Sequence, residues 1–322
     1  MPILSSSSDW AAEIPPLGFG CCPMGGHGWG KVDEDQLLEA VRVALDQGVR
    51  LFDTADIYGL GASELLLGKA LRGHRDRVVV ATKFGVRFHQ GKNRYDTSVE
   101  WIKEAVDASL QRLGIDCIDL YQMHYWDGKT PLQEIVATLE ALIVRGKIRA
   151  YGITNYNPCD RALHSRSTRL ASYSHHFSLV HREQEAEILA AQRPPQGPVF
   201  FSWGSLGQGV LSGKYRSLEQ LDSSDRRQRD VYENFHGHKF VAIQEVLAEL
   251  RAIAQELRLP GPTQLALRWI IDYIPRSVAL VGIKRPEQIL DAAHVLRFKL
   301  EPAACTRLNE LTAQFCQPRT AP

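Results

Sequence analysis

The sequence predicts an α/β protein of the (β/α)8 or TIM-barrel class, a single domain over residues 1–322 with a long βα loop and a C-terminal helix. Three observations carry this reading. Apolar runs of strand length alternate with amphipathic helical stretches from near residue 17 to near residue 295, as repeated βα units on a parallel sheet do. About eight such units follow one another, the number that closes a barrel. Several runs are apolar almost throughout, as strands covered on both faces must be.

In chain order the strand candidates are Leu17–Cys22, Val49–Asp53, Val78–Lys83, Cys117–His124, Ile148–Thr154, Leu170–Ser174, Val199–Trp203 and Val278–Val281. The helices between them carry start and stop signals. Asp33 with Gln36 has the form of a capping box, Leu37, Val41 and Leu45 recur on one face, and Gly48 sits where the helix ends. Thr97 with Glu100 repeats the device ahead of Ile102, Val106, Leu110 and Leu113, with Gly114 as the stop. Pro131 opens a third helix that holds Ile135, Leu139 and Leu142 and stops at Gly146. The stretch Gly207–His238, rich in Gly, Ser, Asp and Arg, has no clear periodicity and is too long for a simple connection, which marks a functional loop. Helices over about Phe240–Leu257 and Thr263–Ile274 precede the eighth strand, and Pro302–Phe315 forms the C-terminal helix.

Composition narrows the function classes. Lys plus Arg number 38 against 37 Asp plus Glu, so there is no basic surplus for a nucleic-acid footprint. No apolar run approaches the roughly 18 residues of a membrane span. The start, Met1 to Asp9, lacks the basic and apolar regions of a secretory signal, and the expected compartment is the cytoplasm. Cys21, Cys22, Cys117, Cys159, Cys305 and Cys316 show no spacing of a zinc site, so no metal is expected and the thiols are read as reduced.

In barrel enzymes the catalytic groups lie at the C-terminal ends of strands. Asp53 ends the second run and Tyr58 follows in its loop, Lys83 ends the third, and His124 ends the fourth. Each has a structural alternative: a snorkelling lysine, a helix-capping aspartate, a packing tyrosine, a core histidine. A carboxylate, a phenol, an ammonium and an imidazole on three neighbouring strand ends point instead to proton transfer. A free phenol holds its proton up to a pKa of about 10, and an adjacent ammonium lowers that value. Lys83 is expected to do this for Tyr58, with Asp53 orienting the ammonium and His124 bonding the substrate oxygen or relaying its proton.

These residues, and the segments around them, resemble the aldo-keto reductase family. The resemblance is carried by Leu17-Gly-Phe-Gly20, Phe52-Asp-Thr-Ala-Asp-Ile-Tyr-Gly59 with Ser63-Glu64 and Leu67-Gly68, Ala81-Thr-Lys-Phe-Gly85, Ser109-Leu-Gln-Arg-Leu-Gly114 and Asp119-Leu-Tyr-Gln-Met-His124. It continues through Gly146-Lys-Ile-Arg149, Gly152-Ile-Thr-Asn155, Gly209-Val-Leu-Ser-Gly-Lys-Tyr215 and Ala266-Leu-Arg-Trp269, over nearly the whole chain. The resemblance implies a barrel that binds NADPH (NADP+) in an extended pose and reduces an aldehyde or ketone, with a tetrad on Asp53, Tyr58, Lys83 and His124. It also implies cofactor contacts at Gly20 and Cys21, at Thr154 and Asn155 beside the nicotinamide amide, at Trp203 under the nicotinamide ring, and at Leu206, Gln208 and Gly209 beside the pyrophosphate. Gly282, Lys284, Arg285, Gln288 and Asp291 fall on the adenosine-phosphate loop, with Lys284 and Arg285 as the cations for a 2′-phosphate.

Two positions depart from the family pattern: Ser174 stands where a glutamine usually completes the amide clamp, and Ala292 where an asparagine is common. The candidate substrate wall is Trp29, Phe84, Tyr125, Trp126 and the Gly207–His238 segment, which favours an apolar or aromatic carbonyl compound. The partner expected is thus a small molecule, not a nucleic acid or a membrane, and no feature of the chain points to an oligomeric state. Two other readings compete: an NADPH-binding regulatory or sensor subunit with slow turnover, and a lyase that uses Lys83 as a Schiff base, which requires a neutral amine.

Overall fold

Strand-length runs of Val, Leu, Ile and Phe close into a barrel of parallel strands in the order β1-β10-β9-β8-β7-β6-β3-β2. The strands are β1 (Leu17–Gly20), β2 (Leu51–Asp53), β3 (Val79–Phe84), β6 (Ile118–Met123), β7 (Ile148–Thr154), β8 (Ser172–His176), β9 (Val199–Trp203) and β10 (Ser277–Gly282). A separate antiparallel hairpin, β4 (Val86–His89) and β5 (Lys92–Tyr95), follows β3. The computed structural model describes residues 14–157, 170–192 and 197–316, so Cys159 and the N-terminal segment considered above lie outside the described residues.

Around the barrel run α1 (Glu34–Asp46), α2 (Ala62–Ala70), α3 (Val99–Leu113), α4 (Leu132–Val144), α5 (Glu185–Ala191), α6 (Gly237–Glu256), α7 (Pro262–Tyr273) and α8 (Pro286–Ala293), with α9 (Pro302–Leu311) at the C-terminal end. Asp33 caps α1 by accepting the Gln36 N–H at 2.9 Å, as its spacing predicts. At α3 the expected Thr97 cap is corrected: Ser98 accepts the Trp101 N–H, while the Thr97 N–H is taken by Asp127. Gly114 stops α3 in the left-handed conformation. Among the described residues no helix is long and apolar enough to cross a membrane.

The period-two alternation of side chains divides the interior into two layers. Leu51, Val79, Ala81, Leu120, Val199, Phe201, Val278 and Leu280 point into the barrel and fill it. Their neighbours Phe19, Phe52, Val80, Tyr121, Tyr151 and Phe200 point outward and pack against the helices. The same parity, continued to the strand ends, puts Gly20, Asp53, Lys83, Gln122, Thr154, Ser174, Trp203 and Gly282 at the C-terminal mouth. The parallel register shows this directly, since Gly20 pairs with Asp53, Lys83 with Gln122, and Thr154 with Ser174.

The sixth strand extends to His176 rather than ending at Ser174. The Gly207–His238 segment is also more ordered than its composition suggests, being a chain of short 3-10 turns pinned by buried Val210, Leu211, Tyr215, Leu221 and Phe235. The hairpin escaped the sequence reading. Its two-residue turn, Gln90-Gly91, has positive φ at both positions, the geometry that matches strand twist in a tight hairpin.

Candidate active site

The strand ends open into one cleft of about 1680 Å³ that runs across the mouth of the barrel. Asp53, Tyr58, Lys83 and His124 all line it. Lys83 Nζ donates to Asp53 Oδ1 at 2.6 Å and to the Thr54 carbonyl at 2.7 Å, and Gln122 Nε2 donates to Asp53 Oδ2 at 3.3 Å. The ammonium stands 5.2 Å from the centre of the Tyr58 ring. His124 meets that ring edge-on, with centroids 5.9 Å apart and planes at 84°. Two glycines allow this loop its position: a Cβ on Gly59 would lie 2.2 Å from the Gly25 carbonyl oxygen, and one on Gly25 would lie 2.7 Å from the Tyr58 carbonyl carbon. Only backbone without side chains lets the loop after β1 press against the loop that carries Tyr58.

Burial dominates the electrostatics. The Tyr58 phenol is pushed well above its ordinary value, first by burial and then by the charges at Cys22 and Asp53. The phenol thus stands above its ordinary value and not below it as expected from the Lys83 ammonium, because burial is the largest influence on it, and Tyr58 holds its proton. Burial raises Asp53 too, against the opposing pull of Lys83. His124 is shifted the other way, well below the usual imidazole value, by burial and by the neighbouring Lys83 charge, so the ring is neutral.

Of the cofactor candidates, Gly20, Thr154, Asn155, Ser174, Trp203, Leu206, Gln208, Gly209, Gly282, Lys284, Arg285, Gln288 and Asp291 line the cleft. Asn155, at φ 56°, donates its backbone N–H to the Ser174 carbonyl at 2.9 Å and accepts the Trp203 Nε1–H at 3.2 Å. Thr154 Oγ1 donates to the His124 carbonyl at 2.5 Å, tying this corner to the end of β6. Asp291 is held by Gln264, whose amide donates to its carbonyl and its carboxylate. Cys21 is not on the wall: it is fully buried, its thiol turned to the Phe19 carbonyl, and Cys22 lines the cleft instead.

The two cations expected at a 2′-phosphate separate. Arg285 is the exposed N-cap of α8, whereas Lys284 Nζ reaches across the cleft to the Trp29 carbonyl at 2.5 Å. Burial lowers the Lys284 pKa. Gln288 Oε1 accepts both N–H groups of this turn, at 2.8 and 3.1 Å. Arg226 makes a second crossing, to the Gly28 and His27 carbonyls, with its guanidinium over the Trp29 ring. The loop after β1 and the long loop after β9 are thereby strapped together over the groove.

The substrate candidates divide as well. Trp29 and Tyr125 line the cleft. Phe84 does not: it follows inward Lys83, so parity turns it outward, where it is fully buried against Tyr121 at 4.8 Å. Trp126 is also off the wall, donating to the Thr130 carbonyl and packing edge-on against Tyr156. Lining residues that the sequence reading missed include Val86, Asn93 and Tyr95 of the hairpin, and His176, which stacks on Trp203 at 4.4 Å. The Gln-Gly turn between alternating residues was the available signal for the hairpin.

A parallel barrel that gathers a carboxylate, a phenol, an ammonium and an imidazole at its C-terminal mouth, beside one large cleft, is the architecture of a barrel enzyme. The profile of the Aldo/keto reductase family matches residues 16–313, and the chain belongs to that family of NAD(P)H-dependent oxidoreductases. It is 32% identical over 287 residues to Aldo-keto reductase YhdN of Bacillus subtilis (strain 168), covering 88% of this chain and 86% of that one. It is 30% identical over 312 residues to an aldo-keto reductase of Schizosaccharomyces pombe, yakc, whose name includes NADP(+), covering 92% and 88%. Among solved structures, glycerol dehydrogenase AKR11B4 from Gluconobacter oxydans superposes with a TM-score of 0.84 at 29% identity, over 95% of this chain and 94% of that one.

Proposed function

We propose that this protein reduces an aldehyde or ketone to the alcohol with NADPH, and that Tyr58 is the general acid. The observation that carries the reading is the convergence of Lys83, 2.6 Å from Asp53 and 5.2 Å from the Tyr58 ring, with His124 edge-on to that same ring. The family match and the NADP(+) of the yeast relative support the cofactor. The residues present fit it, since Asn155 brings a side-chain amide to the wall of a long cleft that Lys284 and Arg285 border. When bound, the nicotinamide supplies a hydride to the carbonyl carbon.

The chain's own residues manage the oxygen. Tyr58 gives its proton to the forming alkoxide, and because burial keeps the phenol neutral the proton is present at physiological pH. Once that proton has left, Lys83 is the cation nearest the phenolate and stabilises it, while Asp53 and the Thr54 carbonyl fix the ammonium in place. His124, neutral, offers a hydrogen bond to the same oxygen without adding charge. Thr154 and Asn155 would hold the nicotinamide amide, and Ser174, shorter than the usual glutamine, steadies Asn155 by accepting its backbone N–H at the Ser174 carbonyl. We take the 322 residues as one domain acting in the cytoplasm on a small carbonyl compound.

The test is multiple-turnover NADPH oxidation with a panel of aliphatic and aryl aldehydes, for the wild type and Tyr58→Phe. The wild type turns over many times, and the variant loses roughly 10²–10⁴-fold in kcat with cofactor affinity retained. Tight NADPH binding without turnover would favour the regulatory-subunit reading instead. Borohydride trapping of a substrate on Lys83 would favour the Schiff-base reading.

A further inference from the structure

The hairpin β4–β5 is fastened at both roots to the loop that follows β6. Gly85, at φ 101°, lies so close that a Cβ there would stand 2.7 Å from the Tyr125 carbonyl oxygen. At the other root the Thr97 N–H donates to Asp127 at 3.1 Å. The Arg87–Asp96 ion pair closes the base, with the Arg87 guanidinium over Trp101 at 4.6 Å. The base of the hairpin is therefore anchored against the loop after β6. It contributes Val86, Asn93 and Tyr95 to the cleft.

Tyr95 continues a stack that begins at the reacting centre. His124 and Tyr125 lie face to face at 5.0 Å and 20°, and Tyr125 and Tyr95 at 4.9 Å and 19°. Three rings, each tilted about 20° from the next, thus form a run that starts at the imidazole beside Tyr58, and the last, Tyr95, is 57% exposed. Val231, on the long loop, lines the same cleft and is exposed. Tyr58, His124, Tyr125 and Tyr95 all line the same cleft, so a substrate held by its carbonyl oxygen at the first two has the other two rings beside it on the cleft wall.

We propose that Tyr95 is a specificity-determining residue whose ring, outermost in the His124–Tyr125–Tyr95 stack, selects carbonyl substrates with an extended flat apolar group over short aliphatic ones. The inference deepens the carbonyl-reductase reading and rests on it. Aromatic rings prefer offset or edge-to-face contact with one another, and a stack already formed by the protein loses no further freedom in binding.

The experiment compares 2-naphthaldehyde with propanal for the wild type, Tyr95→Ala and Tyr95→Phe. The ratio of their kcat/KM values falls roughly five- to twentyfold in Tyr95→Ala, through KM for the larger aldehyde, and stays within about twofold of wild type in Tyr95→Phe. A ratio unchanged in Tyr95→Ala, or a loss shared equally by both aldehydes, overturns the proposal. A second arm titrates 2-naphthaldehyde into the NADP+-loaded proteins by tryptophan fluorescence and needs no chemistry. A Kd weakened in Tyr95→Ala alone supports the wall even if turnover fails, and equal Kd values in all three proteins overturn it. Failure of the wild type to oxidise NADPH would count against the catalytic reading only.

Discussion

Lys83 and Asp53 form a buried ion pair, 2.6 Å between Nζ and Oδ1, at the junction of two adjacent barrel strands. Both side chains are almost wholly shut from solvent, so each is tolerable there because of the other.

Removing one partner therefore carries two separable effects. Lys83→Met leaves an uncompensated buried carboxylate and costs about 3–5 kcal/mol of stability, besides lowering kcat. Adding Asp53→Asn restores most of the stability and none of the activity. Denaturant unfolding and NADPH oxidation on the two variants check this. If the double variant is no more stable than Lys83→Met, the pair is not what holds this part of the barrel mouth.

Asp56 supplies a pH signature. Its Oδ1 is shut from solvent with no hydrogen-bond partner, and burial, then the like charge of Glu64, raise its pKa to about 8, against weaker help from Arg112, Lys83 and the Ile57 N–H. Tyr121, its hydroxyl unpartnered, is raised well above the usual phenol value first by burial and then by the same two carboxyls. A carboxyl whose folded pKa is raised binds its proton more tightly in the native state, so stability falls as pH climbs from its unfolded value, 3.8, to about 8. Asp56→Asn, which stays neutral, is expected to remove that decline. Above pH 8 it should melt higher than the wild type by several degrees, each 1 kcal/mol of the linkage being worth roughly 2 °C in a chain of this size. Melting curves of the two proteins that run parallel from pH 6 to 9 would show that Asp56 is already ionised throughout.

The two cations before α8 should behave differently. Arg285 is exposed at the N-cap and lines the cleft, and if it meets the 2′-phosphate Arg285→Ala should weaken NADPH by about tenfold to a hundredfold, from the roughly 1.5–3 kcal/mol of a charge-assisted hydrogen bond. NADH binding should hold. Lys284→Ala also cuts the crossing to the Trp29 carbonyl, so both cofactors should weaken. Fluorescence titrations at fixed salt decide it: if Arg285→Ala weakens NADH as much as NADPH, the 2′-phosphate assignment is wrong.

How much of this was legible in the chain follows from the range of each force. The barrel, the order of its strands and the four groups at its mouth could be read directly, because hydrophobic periodicity is local and parallel strands bring their ends to one rim. Asp53, Lys83 and His124 needed only that rule, and Tyr58 only its place in the loop after Asp53.

Tertiary structure decided the rest. Whether Cys21 or Cys22 faces the cleft, and whether Phe84 does, depends on the parity at which a strand stops, and a shift of one residue reverses the answer. The direction of Lys284, toward Trp29 and away from Arg285, depends on a loop more than two hundred residues earlier in the chain. The protonation of Tyr58 depends first on desolvation, a sum over every group around it, which the sequence does not show. Local pattern thus determined which residues stand at the mouth of the barrel; only the packed surroundings, acting through burial, determined which way they point and which proton each one holds.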